Sequence, residues 1–329
     1  MIHSPVGRRG ALGAAFGAAL APLALGRTAR AQGRFPDKPI HMIVPWAPGG
    51  STDVQMRALS EQVSKRFGRP VVVENRPGAG GILGAQMVAG ARPDGHLLTQ
   101  LPISALRYPH MVARPLFDPM KDLTYISQIT GYLFGVVVRA DAPWRTFGEL
   151  LDAAKAKPGH VTYGSPGQGT SLQFTMEEIA AKTGVEWLHV PFKGASENLQ
   201  ALLAGTVQVS AESSAWAGLV RSGQFRLLCT WGPERATRFP DAPTLKELGF
   251  GIVSSSPYGI CGPAGMDPAV VQTLDRTFRD AVQDPAHVAV LERYDMLPAY
   301  LGSADYAAAA RRQYEADGEM IRRLNLSAN

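Results

Sequence analysis

Apolar positions along this chain keep two rhythms that take turns. Short apolar runs such as Ile40-His41-Met42-Ile43-Val44 have strand character, and the stretch that follows places Met56, Leu59, Val63 and Phe67 on one face of a helix. Read this way, the first part holds strands at 40–44, 71–73, 96–101 and 125–129, with helices at 52–67 and 81–90. Further strands are expected at 133–139, 160–163, 187–190, 207–210 and 226–230, interleaved with helices at 146–155, 170–183, 196–204 and 216–222. Such alternation predicts an α/β fold with largely parallel sheets. Asp267-Pro268 starts another helix, a capping side chain followed by a proline at the first helical position, and two more helical stretches finish the chain.

The extreme N-terminus follows neither rhythm. Arg8-Arg9 precede an apolar, Ala/Gly-rich run from Gly10 to Gly26, and Ala29-Arg30-Ala31 ends it as a small-x-small cleavage site, so residues 1–31 are expected to be an export signal and the mature chain to begin at Gln32. The run is short for a membrane span and holds four glycines and a proline. Arg8-Arg9 leaves both the general and the twin-arginine export routes open. Removing Arg8, Arg9, Arg27 and Arg30 with no acidic residue takes the formal charge from +5 to +1. The basic character belongs largely to the precursor, which argues against a nucleic-acid partner. A soluble protein outside the cytoplasm is the expectation.

The 298 residues after the signal exceed one comfortable core and predict two domains. The strand-poor C-terminal part is expected to pack back on the first domain, so the chain crosses between domains near 131–136 and 256–260. The division is then 32–133 plus 260–329 for the first domain and 134–259 for the second. Cys229 and Cys261 both sit in strand-like runs, and export permits either a disulfide or two buried thiols.

Two strand-to-helix corners carry the candidate chemistry. In the first, Trp46-Ala47-Pro48-Gly49-Gly50-Ser51 leads from a strand into a helix that carries Asp53 in its first turn. In the second, Gly164-Ser165-Pro166-Gly167-Gln168-Gly169 leads into Thr170-Ser171. Each corner aims unpaired backbone N–H groups and a positive helix end at one spot, while glycines let backbone approach a ligand. One such corner is explained by a plain turn and cap; two in separate domains of an exported chain predict a grip on an anion. Lys193, between a strand and the helix behind Ala195-Ser196, is a candidate counter-charge, and Trp46 and Trp216 are candidate walls.

Enzyme motifs are approached and missed. Tyr163 stands where a nucleophile elbow around Ser165 needs glycine, and Leu83 where a dinucleotide fingerprint in Gly78-Ala79-Gly80-Gly81 needs one. The seven histidines are scattered without metal-ligand spacing, so neither a metal nor a cofactor is expected.

The segments FPDKPIHMIVPWAPGGSTD, GRPVVVENRPGAGGILGAQMVAGARPDGHLL, VTYGSPGQGTS, HVPFKGASENLQALLAG and FPDAPTLKELGF, in this order, resemble the periplasmic solute-binding proteins of tripartite tricarboxylate transporters, the Bug or TctC family. The resemblance covers nearly the whole mature chain. It implies a two-domain periplasmic-binding-protein fold, type II-like, with two crossover strands and an interdomain cleft that closes on a small organic acid without catalysis. It also implies that the first corner meets the ligand carboxylate, and that Ser165, Gly169, Thr170 and Ser171 hold the other side. Two segments depart from the family pattern. Pro102-Ile103-Ser104 keeps only the serine of a Thr-Asn-Ser run, and Glu212-Ser213-Ser214 replaces an Asp-Asn pair, so Ser104, Ser213 and Ser214 are candidates for the ligand's distal end.

The expected function is an exported solute-binding protein, monomeric, that captures a small carboxylate for a membrane permease. An exported hydrolase using Ser165, and a ligand-sensing receptor domain, are the alternatives; the hydrolase needs a base and an orienting acid that no motif supplies.

Overall fold

The computed structural model describes residues 35–324 and residue 326, so the expected signal lies outside the described residues. Among the described residues, eleven strands form two sheets. The first contains β1 (Ile40–Val44), β2 (Val71–Asn75), β3 (Leu97–Leu101), β4 (Leu123–Gly131), β10 (Tyr258–Pro263) and β11 (Leu297–Leu301), in the order β11-β4-β10-β3-β1-β2. The second contains β5 (Phe134–Arg139), β6 (Val161–Ser165), β7 (Trp187–Pro191), β8 (Val209–Ser213) and β9 (Phe225–Thr230), in the order β7-β6-β8-β5-β9.

The helices fill the gaps between strands. They are α1 (Ser51–Phe67), α2 (Ile82–Ala89), α3 (Ile103–Met111), α4 (Phe147–Ala156), α5 (Ser171–Thr183), α6 (Ala195–Leu203) and α7 (Ala217–Arg221), then α8 (Pro268–Val282), α9 (Pro285–Arg293) and α10 (Ser303–Leu324). Their ends follow from local chemistry. Gly68 closes α1 in the left-handed region at φ 63°, its N–H bonding the Ser64 carbonyl. Asp267 and Asp284 cap α8 and α9 through the amides of Ala269 and Ala286, each just before a helix-opening proline. Met56, Leu59 and Val63 of α1 are fully buried, worth about 1.5–3 kcal/mol each in gross apolar burial. That face packs α1 on its sheet, and α8 and α9 lie alongside it.

The sheets are mixed, not largely parallel: β1 pairs β2 and β3 in parallel and β6 pairs β7 and β8 in parallel, but every pairing made by β10, β4 and β5 is antiparallel. The reason is the route of the chain. It leaves the first sheet through β4 and enters the second through β5, then leaves the second through β9 and re-enters the first through β10. Strands that run toward and away from the same boundary lie side by side and must oppose each other. At that boundary the two passages are stitched together, Tyr132 N donating to the Ser255 carbonyl at 2.6 Å and Trp231 N to the Phe134 carbonyl at 3.0 Å.

Cys229 and Cys261 are free, buried thiols in different sheets. Burial pushes the Cys229 thiol up to about 12 and that of Cys261 higher still. Trp216 is fully buried; its Nε1 donates to the Glu212 carbonyl and its ring meets Phe239 edge-on, so it packs the second core instead of walling a pocket.

Candidate functional site

Four helices begin at one cavity between the two sheets. Its volume is about 50 Å³, and it is lined by Gly50 and Ser51 of α1, Ile103 and Ser104 of α3, Thr170 and Ser171 of α5, and Ala195 of α6. The residues before α1, α3 and α6, Gly50, Pro102 and Gly194, make no side-chain capping bond; only Thr170 closes its own helix, onto Gln173 N. First-turn amides of these helices therefore lack intrahelical partners beside an enclosed space, with the positive ends of their dipoles. Trp46, Phe134 and Leu172 add apolar wall. No lysine or arginine lines the cavity, among the described residues.

The first corner is braced from beneath. Asp53 is buried and accepts from Gly49 N at 3.0 Å, Asn75 Nδ2 at 2.8 Å and Arg57 Nε at 3.0 Å. Burial by itself would raise its pKa, but the Gly49, Asn75 and Arg57 donors prevail and hold the carboxyl below the usual range. Asn75 also donates to the Trp46 carbonyl, and Trp46 Nε1 donates to Gln100 Oε1. Asp53 thus shapes the loop and does not line the cavity. Pro48 and Gly49 are exposed at its rim, where the Pro48 carbonyl accepts from Ser196 Oγ of the other half.

The second corner meets the first half of the molecule closely. A Cβ on Gly80 would lie 2.2 Å from the Gln168 carbonyl oxygen, so backbone touches backbone there and glycine is required. Ser104 Oγ donates to the Gly80 carbonyl at 2.5 Å. Arg107, buried against Asp317 at 3.1 Å, donates to Ser171 Oγ at 2.9 Å and to the Gly169 carbonyl at 3.4 Å, and Ser171 in turn donates to Ser256 Oγ. Gly169 therefore lies behind the lining, its carbonyl turned to Arg107 and its amide to Gln173 Oε1.

The remaining candidates separate. Ser213 lines the cavity and its hydroxyl meets that of Ser51 at 2.9 Å across the cleft. Ser214 points away and donates to the Tyr294 carbonyl. Lys193 is exposed; its carbonyl accepts from Ala47 N, so this residue offers the first corner backbone and not its ammonium. Ser165 is fully buried, outside the lining, with Oγ 2.7 Å from His189 Nε2. Burial holds the His189 pKa down to about 4, and among the described residues no acid bonds its other ring nitrogen; Tyr163 stacks on it instead. No group of three or more His, Cys, Asp or Glu suited to a metal occurs among the described residues.

Sequence reasoning named Glu212 within a departing segment without choosing it as a site residue, and passed over Tyr132. Glu212 lines the cavity with 1% exposure, accepting from Ser213 N, Ser213 Oγ and Asn198 Nδ2; burial pushes its carboxyl up to about 7 against those donors. A charge inside the apolar run around residue 210 was the available signal. Tyr132 lies on the first passage between sheets, and its hydroxyl meets Thr52 Oγ1 at 2.7 Å.

Comparison with known proteins bears on family and fold. The profile of the family described as "Tripartite tricarboxylate transporter family receptor" matches residues 55–326. A protein of the gbd 5' region of Cupriavidus necator is 46% identical over 314 residues, 95% of each chain, and BugT of Bordetella pertussis is 33% identical over 77% of this chain and 79% of its own. Among solved structures, one described as a periplasmic transporter superposes with a TM-score of 0.85 at 29% identity, covering 89% of this chain and 99% of that one. The same fold occurs in the periplasmic binding protein BugD (TM-score 0.86, 24% identity, 90% and 100% covered) and in an R. palustris protein solved with adipate (0.84, 23%, 89% and 99%). It recurs in MatC of Rhodopseudomonas palustris, solved with bound malate (0.81, 24%, 87% and 100%).

Proposed function

Because the chain belongs to the tripartite tricarboxylate transporter receptor family, we propose that it captures a small organic carboxylate between its two sheets and delivers it to a membrane permease, without chemical turnover. The observation that carries this reading is the convergence of four helix N-termini on one cavity with no lining cation among the described residues. Fixed backbone dipoles solvate an anion without a full counter-charge, which suits a ligand that must also be released. Residues 32–133 with 260–329 act as one lobe and 134–259 as the other, and the ligand favours their closed arrangement. The protein works as a monomer outside the cytoplasm after cleavage behind Ala31.

The test is a thermal-shift screen of the chain from Gln32 against mono-, di- and tricarboxylates. At least one acid at roughly millimolar concentration should raise Tm by several degrees through mass action; no shift with any of them sinks the reading. The Ser165–His189 pair is the observation on which the hydrolase alternative rests. Ser165→Ala is expected to leave carboxylate affinity within about twofold, and ester turnover abolished by that change would favour the enzyme.

A further inference from the structure

Glu212 is an anomaly in a cavity built for anions: a carboxyl, 1% exposed, on the wall opposite the first corner. Its hydrogen bonds determine what that wall offers. Oε1 accepts from Ser213 N at 2.8 Å and Ser213 Oγ at 3.1 Å, Oε2 accepts from Asn198 Nδ2 at 2.9 Å, and Ser213 Oγ lies 2.9 Å from Ser51 Oγ at the start of α1. A hydroxyl has a single proton to donate. While Glu212 is ionised, Ser213 gives its proton to the carboxylate and Ser51 gives its own to Ser213, so both hydroxyls turn only lone pairs toward a ligand. With Glu212 protonated the chain reverses, and Ser51 has a proton for an anionic oxygen.

Building on the carboxylate reading above, we propose that Glu212 selects the second functional group of the ligand. A carboxamide, hydroxyl or ammonium that donates to this wall is accepted directly, and a second carboxylate only together with a proton on Glu212. The surroundings are consistent with this. Asn198 of α6 and Ser213 supply neutral donors, Trp216 Nε1 bonds the Glu212 backbone, and Tyr132 on the passage between sheets is the titratable group that interacts with it. No cation contributes to its titration, and burial raises the carboxyl to about 7.

Isosteric ligand pairs isolate the effect: succinate against succinamate, and glutarate against glutaramate, titrated calorimetrically into the chain from Gln32. At about pH 8.5 each amide should bind at least roughly tenfold more tightly than its diacid, and the gap should narrow several-fold by about pH 6. Diacid binding at the higher pH should take up about one proton per site, read from buffers of different ionisation enthalpy. Glu212→Gln should remove both the proton uptake and the pH dependence. Diacids binding as tightly as the amides at the higher pH without proton uptake, or a glutamine variant that retains the uptake, overturns the proposal and leaves carboxylate capture standing. Failure of all four ligands, together with a negative thermal-shift screen, removes capture itself and this selectivity with it. Should the variant not fold, the proton count on the unmodified protein decides alone.

Discussion

The two strand-to-helix corners are alike in sequence and differ in what holds them. Around the first, every brace of Asp53 comes from its own half: Gly49 N, Asn75 and Arg57 converge on one ionised carboxylate. Around the second, the partners come from across the cleft: Arg107 grips Gly169 and Ser171 while itself held by Asp317, and the Gly80 backbone abuts Gln168. The Asp53 braces lie within one half, whereas the Arg107 and Gly80 contacts of the second corner cross the cleft. On the capture reading proposed above, these cross-cleft contacts would make the affinity for a ligand include the free energy of closing.

The largest test of this contrast is Arg107→Ala, which strands Asp317 at 1% exposure without its partner. A loss of about 3–5 kcal/mol in urea unfolding is expected, with weakened ligand binding; a loss below about 1 kcal/mol would mean the pair is solvated and the second corner does not depend on it. Gly80→Ala should act on closure more than on folding. Its Cβ would collide with Gln168, so affinity should fall about 10–100-fold, roughly 1.4–2.8 kcal/mol. The ligand-free unfolding midpoint should move by much less, and scattering should report a more open particle with ligand present.

Asp53→Asn should do the reverse. About 1–2 kcal/mol of stability is lost without ligand, because the Arg57 and Gly49 bonds lose a charged acceptor, and a variant that melts like the parent would show that the first corner is not braced this way. Smallest is the effect of acid on the second corner through His189. Burial holds its folded-state pKa to about 4 while the unfolded chain titrates near 6.5. The stability it contributes is therefore present above about pH 6.5 and lost as the pH falls toward 4. The Tm deficit of His189→Asn should accordingly narrow by about 2–4 °C between pH 7.5 and 4.5. Comparing variant with parent at each pH cancels the opposing trend of Glu212, whose raised pKa favours the folded form on the acid side.

Much of the α/β alternation was legible because each early strand is apolar and each helix keeps a 3–4 spacing, as Met56, Leu59 and Val63 do. Helix α3 was not, since Pro109 interrupts its pattern from within, and β11 is an edge strand carrying Pro298, which weakens any strand signal. Sheet direction escaped because it depends on which strands carry the chain between halves. At the site, the amide-rich corners showed through their glycines and hydroxyls. The pairings that decide each side chain's task did not: Arg107 meets Asp317 and Ser51 meets Ser213 over separations that no local pattern encodes. Asp53 and Ser165 are polar residues in the right loops whose side chains face other partners, and the Lys193 side chain is exposed outside the lining.

The hydrogen bond from Tyr132 N to the Ser255 carbonyl ties the outgoing and returning stretches of chain edge to edge. The two halves also touch where Ala47 N meets the Lys193 carbonyl and Ser196 Oγ meets the Pro48 carbonyl. If the two passages serve as the hinge of the proposed trap, opening must break these two bonds, so the Ala47 amide should exchange more slowly once a carboxylate is bound.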